Sequence, residues 1–371
     1  MYYSEEDINN ILSKNDIVEI IGKHVSLLKK SEKYIGCCPF HSQRIPTFIV
    51  DETKQFFYCP ECGRGGNVVN FLMELYQISF LEAINRLSEI RIEIKDCETN
   101  LKHAILEINK RAAYFYQKNL EKYECVREYI KKRQLDDVTI QKFEIGFSGE
   151  LSTSLYSSLR RNGFSDMEIK ESGLIGFYES GALDKFANRL MFPIRDVNGN
   201  YIGFGGRILR ENKQRKEAKY LNSPETLIFE KSENLFGLNF AKESPFEYLI
   251  LCEGYMDVIS MHQAGFTNAV ASLGTALTEG QARLIKKYRD RVVLSYDSDG
   301  PGLMAAQRAI PILSSQNIDI HFLDLKPYKD PDELIKSSGK EVFQDRISHV
   351  LTKEEWLFKQ AYESGNADLI L

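Results

Sequence analysis

The sequence lacks any apolar run approaching the roughly 18–20 residues that cross a bilayer. Its first residues, Met1-Tyr2-Tyr3-Ser4-Glu5-Glu6-Asp7, are acidic and carry no apolar signal core. Both absences predict a cytoplasmic protein with no membrane partner. There is no G-x4-G-K-[ST] loop, so no P-loop ATPase or helicase is expected. Internal repeats and low-complexity tracts are also missing. Seven cysteines in a chain without a secretory signal predict free thiols or metal ligands, not a disulfide scaffold. What remains is an ordinary globular composition, 43% hydrophobic and 27% charged, with 24 Gly and 10 Pro in 371 residues. That is enough for two or three domains, each with a core.

Net charge is −5, which argues against a nucleic-acid coat protein. The sum hides an asymmetry: residues 101–244 hold 24 Lys and Arg against 20 Asp and Glu, residues 245–371 hold 13 against 18. A mildly basic middle followed by an acidic end suits an enzyme that steers a polyanion toward a carboxylate-lined centre, although solvated helix faces give asymmetries of this size too.

Apolar spacing predicts a helix and then extended chain over 5–29, short strands at 47–50 and 55–58, and helix over 67–87. The polar stretch 95–100 is the best linker candidate, and helix resumes over 101–133. From Phe246 the pattern becomes strand alternating with helix, with apolar runs at 248–252, 269–271, 292–296 and 318–322. Such repetition predicts a parallel sheet covered on both faces.

Four of the cysteines crowd into one short segment. Cys38-Pro39-Phe40-His41 and Cys59-Pro60-Glu61-Cys62 form C-x2-H and C-x2-C separated by 17 residues. Two residues between ligands let both side chains of a tight turn meet one ion, and a hairpin between the turns closes the tetrahedron. Cys38, His41, Cys59 and Cys62 therefore predict one structural Zn²⁺ with no open position for a catalytic water. Cys37 is an alternative to Cys38 that fits the spacing less well. The neighbouring aromatics Phe48, Phe56, Phe57 and Tyr58, beside Arg44, Lys54 and Arg64, either stack on single-stranded bases or form a small core; the core is the simpler reading.

A second cluster lies at the strand ends. Glu253 follows the first predicted strand and Asp257 lies one helical turn further on. Asp297 and Asp299 follow the third strand, Asp330 and Asp332 the fourth. In a parallel sheet these ends share one edge, where ligands bind. Six carboxylates there must be protonated or bind cations, and all-oxygen ligands select Mg²⁺ or Mn²⁺. Two such ions can stabilise both the attacking and the leaving oxygen of a phosphoryl transfer. Taken singly, each Asp also suits a turn or a helix cap. Before the sheet, Arg207, Arg210, Lys213, Arg215, Lys216 and Lys219 face only Glu211 and Glu217, and Lys231 follows. With Tyr201–Arg207 and with Arg189 they form a surface suited to a triphosphate or a template strand.

Together these residues resemble the bacterial replicative DNA primases of the DnaG type. Cys38–His41, Pro46-Thr47-Phe48, Tyr58–Gly63 and Gly65-Gly66-Asn67 resemble that family's zinc-binding domain. Arg189–Ile194, Gly203–Arg207 and Lys219–Thr226, with Tyr220 and Asn222, resemble its template and nucleotide surface. Glu253–Asp257, Ser272–Thr275, Asp297–Asp299 and Asp330–Asp332 resemble its Toprim metal site. The resemblance implies a multidomain α+β and α/β protein: a zinc ribbon (1–98), a mixed α+β basic subdomain (101–245), a Toprim-like parallel α/β sheet (246–340) and a short helical segment (341–371). It implies synthesis of short RNA primers from ribonucleoside triphosphates on single-stranded DNA, with an RNA–DNA duplex as product. It further implies that Arg207, Lys219, Lys231 and Arg133 contact nucleic acid or triphosphate, and that Glu253, Asp297 and Asp299 are catalytic. The family continues beyond the position of Ile335 with a helical subdomain and a helicase-binding domain; 36 residues follow here, so helicase docking through that domain is not expected.

Overall fold

A computed structural model describes residues 5–41, 46–209, 218–274 and 276–364. The basic residues Arg210, Lys213, Arg215 and Lys216, with Arg44 and Thr275, lie outside the described residues. The chain divides into two compact units, Met1–Asn100 and Leu101–Leu371.

In the first unit, short helices Glu5–Ser13 and Ile17–Gly22 precede a five-stranded antiparallel sheet. Asp16 starts the second helix by accepting from the backbone N–H groups of Val18 and Glu19, satisfying two donors that the first turn leaves open. The strands are β1 (Leu28–Lys30), β2 (Lys33–Gly36), β3 (Phe48–Asp51), β4 (Phe56–Tyr58) and β5 (Gly65–Gly66), paired in sequence order. Alternation along β3 and β4 buries Phe48, Val50 and Phe57 against Phe71 and Leu72 of helix Val68–Tyr76. Phe48 and Phe57 stack with ring centroids 5.4 Å apart, and Phe71 meets Phe57 edge-on at 5.6 Å. Two of the four sequence-selected aromatics are thus core, while Phe56 and Tyr58 are exposed. Removing any one of the buried rings is expected to cost about 3–5 kcal/mol.

The linker expected at 95–100 is helical instead: one helix runs from Phe80 to Leu120. Polar composition suggested a break, but no Gly or Pro occurs anywhere in that span, so nothing stops helix propagation.

The second unit holds two sheets. The smaller is antiparallel, in the order β11 (Tyr220–Asn222), β10 (Tyr201–Ile208), β9 (Arg189–Arg195), β6 (Gly146–Phe147); strands β7 (Ile175–Tyr178) and β8 (Gly181–Asp184) form a separate hairpin. The larger sheet has the order β13 (Ala269–Ala271), β12 (Tyr248–Cys252), β14 (Arg291–Leu294), β15 (Asp319–Phe322), β16 (Leu351–Thr352). Its first four strands are parallel and β16 closes one edge antiparallel. Helices Tyr255–Gln263, Glu279–Tyr288 and Gly300–Ser315 fill the three crossovers. Leu249, Ile250, Leu251 and Cys252 of β12 are wholly buried, as a strand covered on both faces must be. Pro301 sits in the first turn of its helix, where its missing N–H costs nothing. Helix Lys340–Ser348 and edge strand β16 carry no clear signature in the sequence.

Candidate functional site

The zinc knuckles stand at the two hairpin ends of the first sheet. The ligand atoms of Cys38, His41, Cys59 and Cys62 all lie within 4.8 Å of one another, and Cys38 and Cys59 are buried. Among the described residues this is the only such set of three or more. Cys37 is exposed and stands outside it. The second knuckle turns because Gly63 adopts φ 69° and donates to the Cys59 carbonyl at 2.9 Å. Burial pushes the Cys38 thiol up to about 12. At Cys59 burial is outweighed by the backbone N–H groups of Cys62 and Glu61, which hold the thiol below its ordinary value. Three sulfurs and one imidazole gathered in a small buried space fit a tetrahedral Zn²⁺, which would replace the thiol protons and hold the knuckles together. The sequence missed the outer support. Glu61, between the two cysteines of the second knuckle, meets His41 Nε2 at 3.1 Å and favours the tautomer whose Nδ1 can coordinate. Arg64 donates to the Phe40 carbonyl at 3.0 Å and pairs with Glu74 at 3.2 Å, so its guanidinium braces the first knuckle.

At the carboxyl edge of the parallel strands the structure brings the six acids into one electrostatic field. Glu253 accepts from the Asp297 backbone N–H at 3.0 Å, which ties the ends of β12 and β14 together. Burial, with the Asp297 carboxylate second, holds Glu253 above the usual carboxylate range. Asp257 is buried within its helix and pushed well up, first by burial and then by Asp330, Asp297 and Asp332. Burial raises Asp297 too, against the pull of Lys329. Asp299 and Asp330 both cap helices, accepting from Gly302 N–H at 3.1 Å and from Glu333 N–H at 2.7 Å. The cap and the metal-ligand readings are therefore compatible, since a carboxylate has a second oxygen to offer.

Cations on the protein already compensate this cluster. Lys329 places its ammonium 3.2 Å from Asp297 and 3.5 Å from Asp299. Asp332 is buried and engaged by Lys336 at 2.6 Å and Arg133 at 3.1 Å. The Lys329 ammonium thus bridges Asp297 and Asp299, which present oxygen toward one point where positive charge is favourable. Hard oxygen donors such as Glu253, Asp257, Asp297, Asp299 and Asp330 on these strand ends have the chemistry that Mg²⁺ or Mn²⁺ prefers. Asp332 fits least well, because Lys336 and Arg133 hold it.

The basic residues divide likewise. Lys219 is exposed immediately before β11. Arg207 donates to the Tyr220 hydroxyl at 2.7 Å and lies over the rings of both Tyr220 and Tyr129, 5.3 and 5.2 Å from their centroids. Arg133 also lies against Tyr129, its Nε 3.0 Å from the hydroxyl. Tyr129 was not singled out in the sequence, yet it bridges two of the expected cations. Asn222 faces the parallel sheet, donating to the Leu273 carbonyl at 2.7 Å. Lys231 is half-exposed in a single 3-10 turn. Arg189 departs from expectation: it is buried, donating to the carbonyls of Gly206 at 3.1 Å and Ala218 at 2.9 Å, so its guanidinium holds strand ends together in this conformation.

Family models match three consecutive stretches: CHC2 zinc finger over residues 3–102, DNA primase catalytic core, N-terminal domain over 115–242, and Toprim-like over 250–335. The first of these identifies the Cys3His cluster as a CHC2 zinc site. The DNA primase of Clostridium acetobutylicum is 38% identical over 98% of this chain and 62% of its own length. The chain thus spans about three-fifths of the curated relatives it matches. The crystal structure of the Aquifex aeolicus primase zinc-binding and RNA polymerase domains aligns with TM-score 0.66 and 35% identity, covering 96% of this chain and 88% of that one. A DnaG primase catalytic domain bound to single-stranded DNA aligns with TM-score 0.64 and 32% identity over 72% and 87%. A zinc knuckle, a basic antiparallel sheet and an acid-edged parallel sheet, in that order and at that level of identity, place this chain in the bacterial DnaG-type DNA primase family.

Proposed function

We propose that this chain polymerises ribonucleoside triphosphates into short RNA primers on single-stranded DNA, by metal-dependent nucleotidyl transfer. The observation that carries the reading is one strand edge on which Glu253 accepts from the Asp297 backbone N–H and Lys329 pairs with both Asp297 and Asp299. The divalent ions would supply charge neutralisation for the triphosphate and activation of the primer 3′-hydroxyl. Glu253, Asp297 and Asp299 would hold them, with Asp257 and Asp330 contributing from the same edge. Glu253, half-buried and held above the usual carboxylate range by burial, would in its carboxylate form accept a proton from the attacking hydroxyl. Lys219, Arg207, Tyr220, Asn222 and Lys231 would contact template or triphosphate from the antiparallel sheet, and Arg133 would pass between that surface and Asp332. The zinc unit, with Phe56 and Tyr58 exposed on its sheet, would take part in reading the template. An RNA–DNA duplex is the product, and a replicative helicase is the partner this activity serves.

Incorporation of labelled ribonucleotides on a single-stranded template tests the reading. Primers made by the 371-residue chain, and lost in Asp297→Ala while single-stranded DNA binding persists, support it. No product from the intact chain, with DNA binding retained, would leave a binding module in its place.

A further inference from the structure

Tyr255 opens the helix that carries Asp257, two residues after Glu253. It is buried, packed edge-on against Phe236 at 4.7 Å and otherwise against residues of the antiparallel sheet. Its ring stacks on Phe192 of β9, centroids 5.3 Å apart and planes 5° from parallel. It also sits over β10 at Gly205, where an added Cβ would fall 2.4 Å from the ring carbon bearing the hydroxyl. That glycine therefore makes room for the ring. The hydroxyl donates to Asn222 Oδ1 at 2.7 Å, and the amide of Asn222 donates to the Leu273 carbonyl at 2.7 Å. The Leu273 carbonyl fixes which way the amide faces, because a flip would set Asn222 Oδ1 against it; the Tyr255 hydroxyl, which can donate or accept, holds the amide in place without choosing its face. One N–H and one lone pair of the amide remain for a ligand. Beside the amide lies Gly274, with φ 75°; a Cβ there would come 3.2 Å from Asn222 Nδ2, so the loop offers backbone and no side chain at this point.

We infer that Tyr255 is a positioning residue for the nucleotide: it acts through Asn222, holding the amide in place while anchoring the turn that bears Glu253 and Asp257, so that the triphosphate contact and the metal acids are set from one side chain. This rests on the primase reading, and it adds a residue that touches neither substrate nor ion. The ring and its seat survive in Tyr255→Phe; only the hydroxyl bond to Asn222 is lost.

The test is a double-mutant cycle of Tyr255→Phe and Asn222→Ala in the full chain. Binding of a ribonucleoside triphosphate with Mn²⁺ is measured at equilibrium without template, and KM and kcat are measured in primer synthesis. The expected result is that Tyr255→Phe weakens triphosphate binding and raises KM about 5- to 10-fold, the loss of one hydrogen bond, with kcat and the thermal midpoint little changed. The double variant binds no worse than Asn222→Ala alone. Wild-type affinity in Tyr255→Phe, or effects that multiply in the double variant, overturn the inference. A purely structural tyrosine would lower the thermal midpoint and leave the cycle additive, which also overturns it. A wild-type chain that binds triphosphate with this pattern yet makes no primer sinks the primase reading and leaves the positioning role standing; one that binds no triphosphate sinks both.

Discussion

Cys38, His41, Cys59 and Cys62 gather their ligand atoms within 4.8 Å, two of the four buried, whereas the six carboxylates of the second unit are held by strand ends, helix caps and lysines that neutralise them. The first arrangement has little reason to exist without its ion. Its sheet is short, its aromatic core is small, and clustered thiols offer no structural bond of their own. The second is built by the parallel sheet, whose strands β12 and β14 are buried and paired regardless of any ion. The zinc set depends on its ion for its order; the acid edge is a finished scaffold on which, in the proposed reading, a divalent cation would take the place of a lysine.

The largest effect that could break this contrast is loss of a zinc ligand. Cys59→Ser is expected to remove most of the metal's folding contribution, about 10 kcal/mol or more, and to unfold residues 48–72 as read by amide hydrogen exchange. The single tryptophan, Trp356, stacks on Phe322 with centroids 4.2 Å apart in the second unit. Its fluorescence transition should stay where it was. A shift of both signals together would show that the two units do not stand apart in this way. Next in size, Asp297→Ala should lower primer synthesis about 10²–10³-fold, the scale of losing a charge-stabilising group at a reacting centre, while the thermal midpoint changes little.

His262 sharpens the comparison from another side. His41 faces thiols, but His262 is enclosed by Phe143 and Phe240, with the Ala269 carbonyl 3.0 Å from Nε2 and Lys142 3.1 Å from Nδ1. Burial, then the Lys142 charge, pushes it down to about 4 from 6.5. The unfolded chain takes up this proton before the folded one does. The stability tied to neutral His262 is therefore whole above pH 6.5 and declines as pH falls toward 4, by about 3 kcal/mol. Urea unfolding at pH 7 and pH 4.5 should show this, and His262→Gln should flatten the difference. The smallest effect concerns Lys329. If its ammonium occupies the place of an ion, Lys329→Met should bind Mn²⁺ several-fold more tightly by paramagnetic resonance, since a competing charge near a part-exposed site is worth about 1 kcal/mol. Weaker binding would mean that Lys329 recruits the ion instead of standing in for it.

What the sequence made legible follows the same division. Ligand spacing in C-x2-H and C-x2-C is local, so the zinc set could be read directly, and strand-end acids follow from the βα alternation. Long-range partners could not be read. Arg133 and Asp332 are far apart in sequence and form an ion pair in the structure. Arg189 looks like any other basic residue until β10 closes over it. Lys329 had a signal in its place immediately before Asp330, but no local rule tells a neutralising lysine from a solvated one. Residues 95–100 are legible in part: the boundary between the two units falls at Asn100, where polarity puts it, but the backbone stays helical across it because propensity decides that.

Diffraction at the manganese edge from crystals of the whole chain grown with Mn²⁺ and a ribonucleoside triphosphate tests the central claim most directly. The account predicts anomalous density bound by Glu253, Asp297 and Asp299 at the carboxyl ends of β12 and β14, with the Lys329 ammonium displaced. Density elsewhere, or Lys329 still seated on Asp297 with no ion beside it, would contradict it.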